Sequence, residues 1–151
     1  MTASYPDTSF LCSLYRRQVY SPAAIAYMQN SRAVLPVSSF LLLEFRQSVR
    51  FQMRLFSLDR RKGYSSAEGQ QMLRNLQSDL VGGVLEVVGV DWPDVHRIAE
   101  ELSAKHTVAG GHRLADILHV ATALHLASPV FLTFDANQRK LAKAEGMSVP
   151  L

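Results

Sequence analysis

Four acidic side chains stand where a lone carboxylate is costly. Asp7 follows Tyr5-Pro6 at the end of a short strand pattern, and Asp135 follows Phe131-Leu132-Thr133-Phe134. Glu44 interrupts the apolar run Leu41-Leu42-Leu43-Glu44-Phe45, and Asp116 lies within Leu114-Ala115-Asp116-Ile117-Leu118. A carboxylate in such surroundings loses hydration unless it is paired or bound to a metal. Each also has a purely structural use. Asp7 and Asp135 can cap helix N-termini, and Asp135-x-x-Gln138 has the form of a capping box. Glu44 can form a salt bridge to a nearby Arg. On a helical wheel Asp116 lies near His112 and His119, away from the Leu114–Leu118–Ala121 face, so all three can form a solvated polar edge.

Other reactive groups fit less well. Cys12 is the one cysteine, which excludes an internal disulfide and a site built on several thiolates. It has no partnered His nearby in sequence and reads as a small core residue. His112, His119 and His125 lack the four-residue spacing of a helical zinc pair. His112 and His119 can either line a site beside Asp116 or sit as ordinary surface histidines. Basic residues group apart from the acids. Arg46, Arg50 and Arg54 recur along the Glu44 helix pattern, Arg60, Arg61 and Lys62 follow in a polar stretch, and Arg16-Arg17 come earlier. They are candidates to hold a polyanion, or else a solvated face and loop. Tyr64 beside them can stack on a base.

The elements that must position these groups alternate between strand and helix. Strand patterns cover Ala3–Pro6, Ala33–Val37, Val84–Val90, Pro129–Phe134 and Met147–Leu151. Helical patterns start near Thr8, at Ser21-Pro22, after Ser38-Ser39, at the box Ser65-x-x-Glu68, at Asp91–Asp94, at Arg113 and at Ala136. Gly82-Gly83 closes the fourth. This alternation implies an α/β fold, a parallel sheet with helices on both faces. In such sheets ligands gather at the C-terminal strand ends, where Asp7 and Asp135 lie. The 151 residues form one domain spanning 1–151, with 48% hydrophobic and 19% charged residues. No apolar run approaches the ~20 residues of a membrane span. The N-terminus carries Asp7 and no basic residue before Phe10, so it does not read as a secretory signal. A cytoplasmic protein is expected. The net charge of +3, with 16 Lys and Arg against 13 Asp and Glu, permits a nucleic-acid partner without demanding one.

Taken together, the four acids resemble those of the PIN-domain ribonucleases, including VapC-type toxins of toxin–antitoxin pairs. The resemblance runs from Tyr5 to Ala142. It rests on Asp7-Thr8-Ser9, on Glu44 in the helix after the second strand, on LADILHVATAL with Asp116, and on FLTFDANQRKLA with Asp135. It implies a three-layer α/β/α sandwich around a central parallel sheet. It also implies that Asp7, Glu44, Asp116 and Asp135 bind one or two Mg²⁺ or Mn²⁺ ions and hydrolyse RNA phosphodiester bonds. Ser9 and Thr133 would orient carboxylates or water, and Arg46, Arg50, Arg54, Arg60, Arg61 and Lys62 would hold RNA. Such an ion is hard, prefers oxygen ligands and keeps several waters. An antitoxin partner and a homodimer follow from the same resemblance. The rivals are a housekeeping RNA-processing nuclease of this fold and a silent RNA- or protein-binding module.

Overall fold

Serine and aspartate side chains start five of the seven helices among the described residues, and they fix where those helices begin. The computed structural model describes residues 4–151. In order, these are β1 (Ser4–Pro6), α1 (Thr8–Tyr15), α2 (Ser21–Ser31), β2 (Leu35–Val37), α3 (Ser39–Leu58) and α4 (Ser66–Val81). Then come β3 (Leu85–Val87), α5 (Trp92–Gly110), α6 (Leu114–His125), β4 (Val130–Leu132) and α7 (Ala136–Ala144). The side chains of Asp7, Ser38, Ser65, Asp91 and Asp135 each accept a bond from the backbone N–H three residues on. Each satisfies a donor that the first helical turn leaves open. Ser21 is not the cap of α2. It is the first helical residue, and its hydroxyl instead donates to the Arg16 carbonyl.

The strands are parallel. β1 pairs with β4 with Pro6 opposite Leu132, and β2 pairs with β3 with Pro36 opposite Glu86. β1 and β2 lie side by side, yet the two ladders stay separate. The prolines give the reason. Asp7 N–H bonds to Leu132 on the outer side of β1, and Leu35 and Val37 bond to residues flanking β3. Alternation then turns Pro6 and Pro36 toward the seam, where neither has an N–H to give. A Tyr5 hydroxyl–Ser38 hydroxyl bond of 2.8 Å, fully buried, joins the two strand ends instead.

The helices form the outer layers of an α/β/α arrangement. α1 and α6 both pack on β1; α1 gathers α2, α3 and α4, while α6 gathers α5 and α7. Tyr5, Phe10, Phe45 and Phe131 are the largest side chains fully enclosed between them. Two strand expectations need correction. Val84–Val90 is paired only over Leu85–Val87, because Val87 and its neighbours are largely exposed at this edge. Met147–Leu151 forms no strand, only a single parallel bridge between Ser148 and Val130. Ala3, where the first strand pattern begins, lies outside the described residues. No helix among those described is long and apolar enough to cross a membrane.

Candidate functional site

The parallel register of β1 and β4 sets two strand ends side by side, and the side chains just beyond them form a buried knot. Thr133 Oγ1 donates to Asp7 Oδ2 at 2.5 Å, and Ser9 Oγ donates to Asp7 Oδ1 at 2.6 Å. Phe10 N–H adds a third bond, to Oδ1, at 3.0 Å. The same hydroxyls serve the other strand end: Ser9 Oγ accepts from Phe134 N–H at 2.9 Å, and Thr133 Oγ1 from Asp135 N–H at 3.0 Å. Asp7 has no solvent exposure. Burial raises its pKa above the ordinary carboxylate value, against the opposing pull of Ser9, Thr133 and Phe10.

Above this knot opens a cavity of about 370 Å³. Glu44 from α3, Asp116 from α6 and Asp135 from the β4–α7 junction line it, with Thr8, Ser9 and Arg113. Glu44 Oε1 accepts from Thr8 Oγ1 at 2.5 Å and lies 3.0 Å from His119 Nε2. Burial works to raise the Glu44 pKa, but His119, then Thr8 and Arg113, outweigh it and hold the carboxyl below its ordinary value. Asp116 is 5% exposed, and Arg113 Nε donates to its Oδ2 at 3.3 Å from the cavity mouth. Asp135 Oδ1 accepts from Gln138 N–H at 2.8 Å.

Glu44 Oε2, Asp116 Oδ1 and Asp135 Oδ2 have no hydrogen-bond partner among the described residues. This all-oxygen donor set fits a hard divalent cation in kind. Among the described residues, however, no three His, Cys, Asp or Glu side chains are gathered so that they would hold an ion as they stand. Asp7 lies beneath the cavity rather than in its wall.

The structure thus brings Glu44, Asp116 and Asp135 to one space, with Ser9 in its wall and Asp7 and Thr133 directly below. It corrects several readings of the bland alternatives. Asp7 and Asp135 do cap helices, yet both also belong to the knot or the cavity. The Glu44 partner is a histidine rather than an arginine. Asp116 and His119 are not on a solvated edge: both are buried, whereas Leu114, placed on the apolar face, is 72% exposed. α6 is therefore turned with its polar edge inward. His112 does not join the site. It lines a separate cavity with Lys105, His106 and Lys140. Cys12 is half-buried in the cavity wall, and burial pushes its thiol up to about 11, so it stays protonated at neutral pH.

The cations are distributed unevenly. Arg46, Arg50 and Arg54 leave α3 on the side away from Glu44 and line none of the cavities described. Arg60, Arg61 and Lys62 are exposed in the α3–α4 loop, and Arg61 is paired with Asp59. Sequence reasoning gave Thr8 and Arg113 no place in the site and Gln138 only a capping role, and all three line the cavity. Gln138 Oε1 is buried with no partner, so the reciprocal half of the capping box at Asp135 is not made.

A family model described as PIN domain matches residues 4–144. Among solved structures, the crystal structure of FitAcB from Neisseria gonorrhoeae aligns with a TM-score of 0.61 at 16% identity, covering 97% of this chain and 95% of that one. The crystal structure of PAE2754 from Pyrobaculum aerophilum aligns with a TM-score of 0.59 at 17% identity, covering 98% and 89%. At these identities the likeness concerns the fold. No curated protein matches the sequence.

Proposed function

This chain belongs to the PIN-domain family, and from that premise we propose that it is a metal-dependent endoribonuclease that hydrolyses RNA phosphodiester bonds. One observation carries the reading: three carboxylates from three separate elements face one cavity at the strand ends, each with an oxygen left free. In this reading Glu44, Asp116 and Asp135 would hold one or two Mg²⁺ or Mn²⁺ ions. Asp7 is the fourth acid of the set; it lies beneath the cavity, and its carboxylate already accepts three hydrogen bonds. A cation held by these residues would supply a more acidic bound water and positive charge beside the phosphoryl group.

The chain's own residues prepare that chemistry. Thr8 and His119 fix Glu44 Oε1 and thereby aim its free oxygen. Asp7 locks Ser9 and Thr133, and so the two strand ends that carry Asp135 and start α1. Arg113, largely exposed at the mouth, is held to Asp116 by an ion pair of the kind solvent weakens, and it can transfer to an incoming phosphate. Arg60, Arg61 and Lys62, with the Arg46–Arg50–Arg54 stripe as an outer flank, supply positive charge for the rest of the strand. The toxin of a toxin–antitoxin pair is the biological role we favour, acting in the cytoplasm as a homodimer controlled by an antitoxin protein. It rests on the resemblance of the acid-bearing segments to VapC-type chains.

The test is cleavage of mixed RNAs by the purified protein with Mg²⁺, with Mn²⁺ and with EDTA, beside Asp116→Asn. Metal-dependent, EDTA-sensitive cleavage is expected, and Asp116→Asn should lose at least ~100-fold while staying folded, since several kcal/mol of charge stabilisation goes with the ligand. No cleavage under any condition leaves a binding module; wild-type turnover in the variant removes Asp116 from the site.

A further inference from the structure

The acid-lined cavity is not closed on all sides. Cys12 of α1 and Ser48 of α3 line it and also line a second cavity of about 390 Å³, so the two meet between those helices. The second cavity is walled by Arg16 and Gln18 from the α1–α2 loop, by Ser48 and Gln52 of α3, and by Tyr64. Glu44, Ser48 and Gln52 recur every four residues, so one face of α3 runs from the first cavity into the second.

A specific close approach builds the far wall. Gly63 has φ +60, and a Cβ there would lie 2.1 Å from the Gln52 carbonyl oxygen. Only glycine allows the α3–α4 loop to press onto α3 at this point. The contact seats Tyr64, 7% exposed, against the core, and the Arg16 guanidinium lies 4.8 Å from the centre of its ring.

The lining has a definite chemistry. No carboxylate is among the residues that form it, unlike its neighbour. The side-chain amides of Gln18 and Gln52 make no hydrogen bond among the described residues, so the lining holds free donors and acceptors. A planar carboxamide pairs two-pronged with the edge of a nucleobase. Arg16 adds one cation, held by an exposed ion pair to Glu68 of 3.0 Å that competes weakly with a phosphate. The size suits a small planar ligand. Arg60 and Lys62, exposed just before Gly63, extend positive charge past the rim.

We propose that the second cavity is the subsite for the base of the nucleotide beside the scissile phosphate, read by Gln18 and Gln52, with Arg16 on that nucleotide's phosphate. The assignment rests on the nuclease reading above and adds to it the residues that set sequence preference. It explains why a polar, acid-free space continues from an acid-lined one along a single helix face.

The experiment separates the two claims by measuring binding without cleavage. Metal-free protein in EDTA is titrated with AMP, CMP, GMP and UMP separately, and with ribose 5-phosphate, while the glutamine side-chain amide resonances are followed. At least one nucleotide should bind tenfold tighter than ribose 5-phosphate and shift the Gln52 amide. The Gln18→Ala/Gln52→Ala variant should lose that tenfold preference yet keep its ribose phosphate affinity. Should the double variant misfold, Gln18→Ala alone, at an exposed loop position, should reduce the preference. Equal affinity for nucleotides and ribose 5-phosphate, or a preference that survives the variants, overturns the subsite. A protein that shows the base preference but cleaves no RNA overturns the nuclease reading instead.

Discussion

Asp7 is the most constrained side chain of the site. It is fully buried, three donors converge on it, and its pKa is nonetheless raised because desolvation outweighs them. A raised carboxyl binds its proton more tightly in the folded state than in the unfolded one. Its favourable contribution is therefore complete below the unfolded value near 3.8 and is lost as pH rises through the higher folded value. Asn can keep one oxygen accepting from Phe10 N–H and Ser9 Oγ, while its amide nitrogen, in place of Oδ2, donates to a Thr133 hydroxyl turned to accept. In EDTA, the melting temperature of the wild type should therefore fall more steeply above about pH 4 than that of Asp7→Asn. Parallel curves would mean that the Asp7 carboxylate carries no net penalty in the fold.

Residue type alone made the four acids conspicuous, but it did not show which way α6 faces. A wheel that sorts by hydropathy places Leu114 inward and Asp116 and His119 outward. The true orientation is set by contacts that the helix sequence does not contain: His119 meets Glu44 of α3, 75 residues earlier. Asp7 and Asp135 posed a different difficulty. Cap and site residue are not exclusive: each carboxylate caps a helix with one oxygen, while Asp135 also lines the cavity and Asp7 lies beneath it.

At the level of elements, helix starts were readable because a cap is local: Ser38, Ser65, Asp91 and Asp135 each bond a backbone group three residues away. Strand ends were less so, since pairing depends on a distant partner. The run Val84–Val90 has strand composition throughout, yet β2 offers a partner over only three residues. The seam between the ladders is not legible locally, since only the two registers show that Pro6 and Pro36 both turn toward it. Loop closure gives a sharper test. Gly63 and Gly111 both have positive φ, +60 and +68, but a Cβ meets the Gln52 carbonyl at Gly63 and open space at Gly111. Gly111→Ala should cost only the ~1 kcal/mol of a left-handed alanine at a helix end. Gly63→Ala should cost clearly more, because the loop must also lift from α3. Urea unfolding of both variants measures the difference, and equal losses would show that the loop is not pinned there.

For the whole molecule, a net charge of +3 is carried by an uneven surface. Acids converge on one cavity, an acid-free cavity adjoins it, and exposed cations of the α3–α4 loop lie beyond. That ordering suits a polyanion drawn across a small negative centre, with cations along the approach and a metal to reconcile phosphate with carboxylate. The claim on which this depends is that the cation sits among Glu44, Asp116 and Asp135. The most direct measurement is the anomalous difference density of crystals grown or soaked with Mn²⁺. The account predicts a peak in the acid-lined cavity with oxygens of at least two of these three side chains at about 2.0–2.3 Å, absent in Asp116→Asn crystals treated alike. A cavity empty of Mn²⁺, or a peak only in the separate cavity lined by His106 and His112, would contradict it.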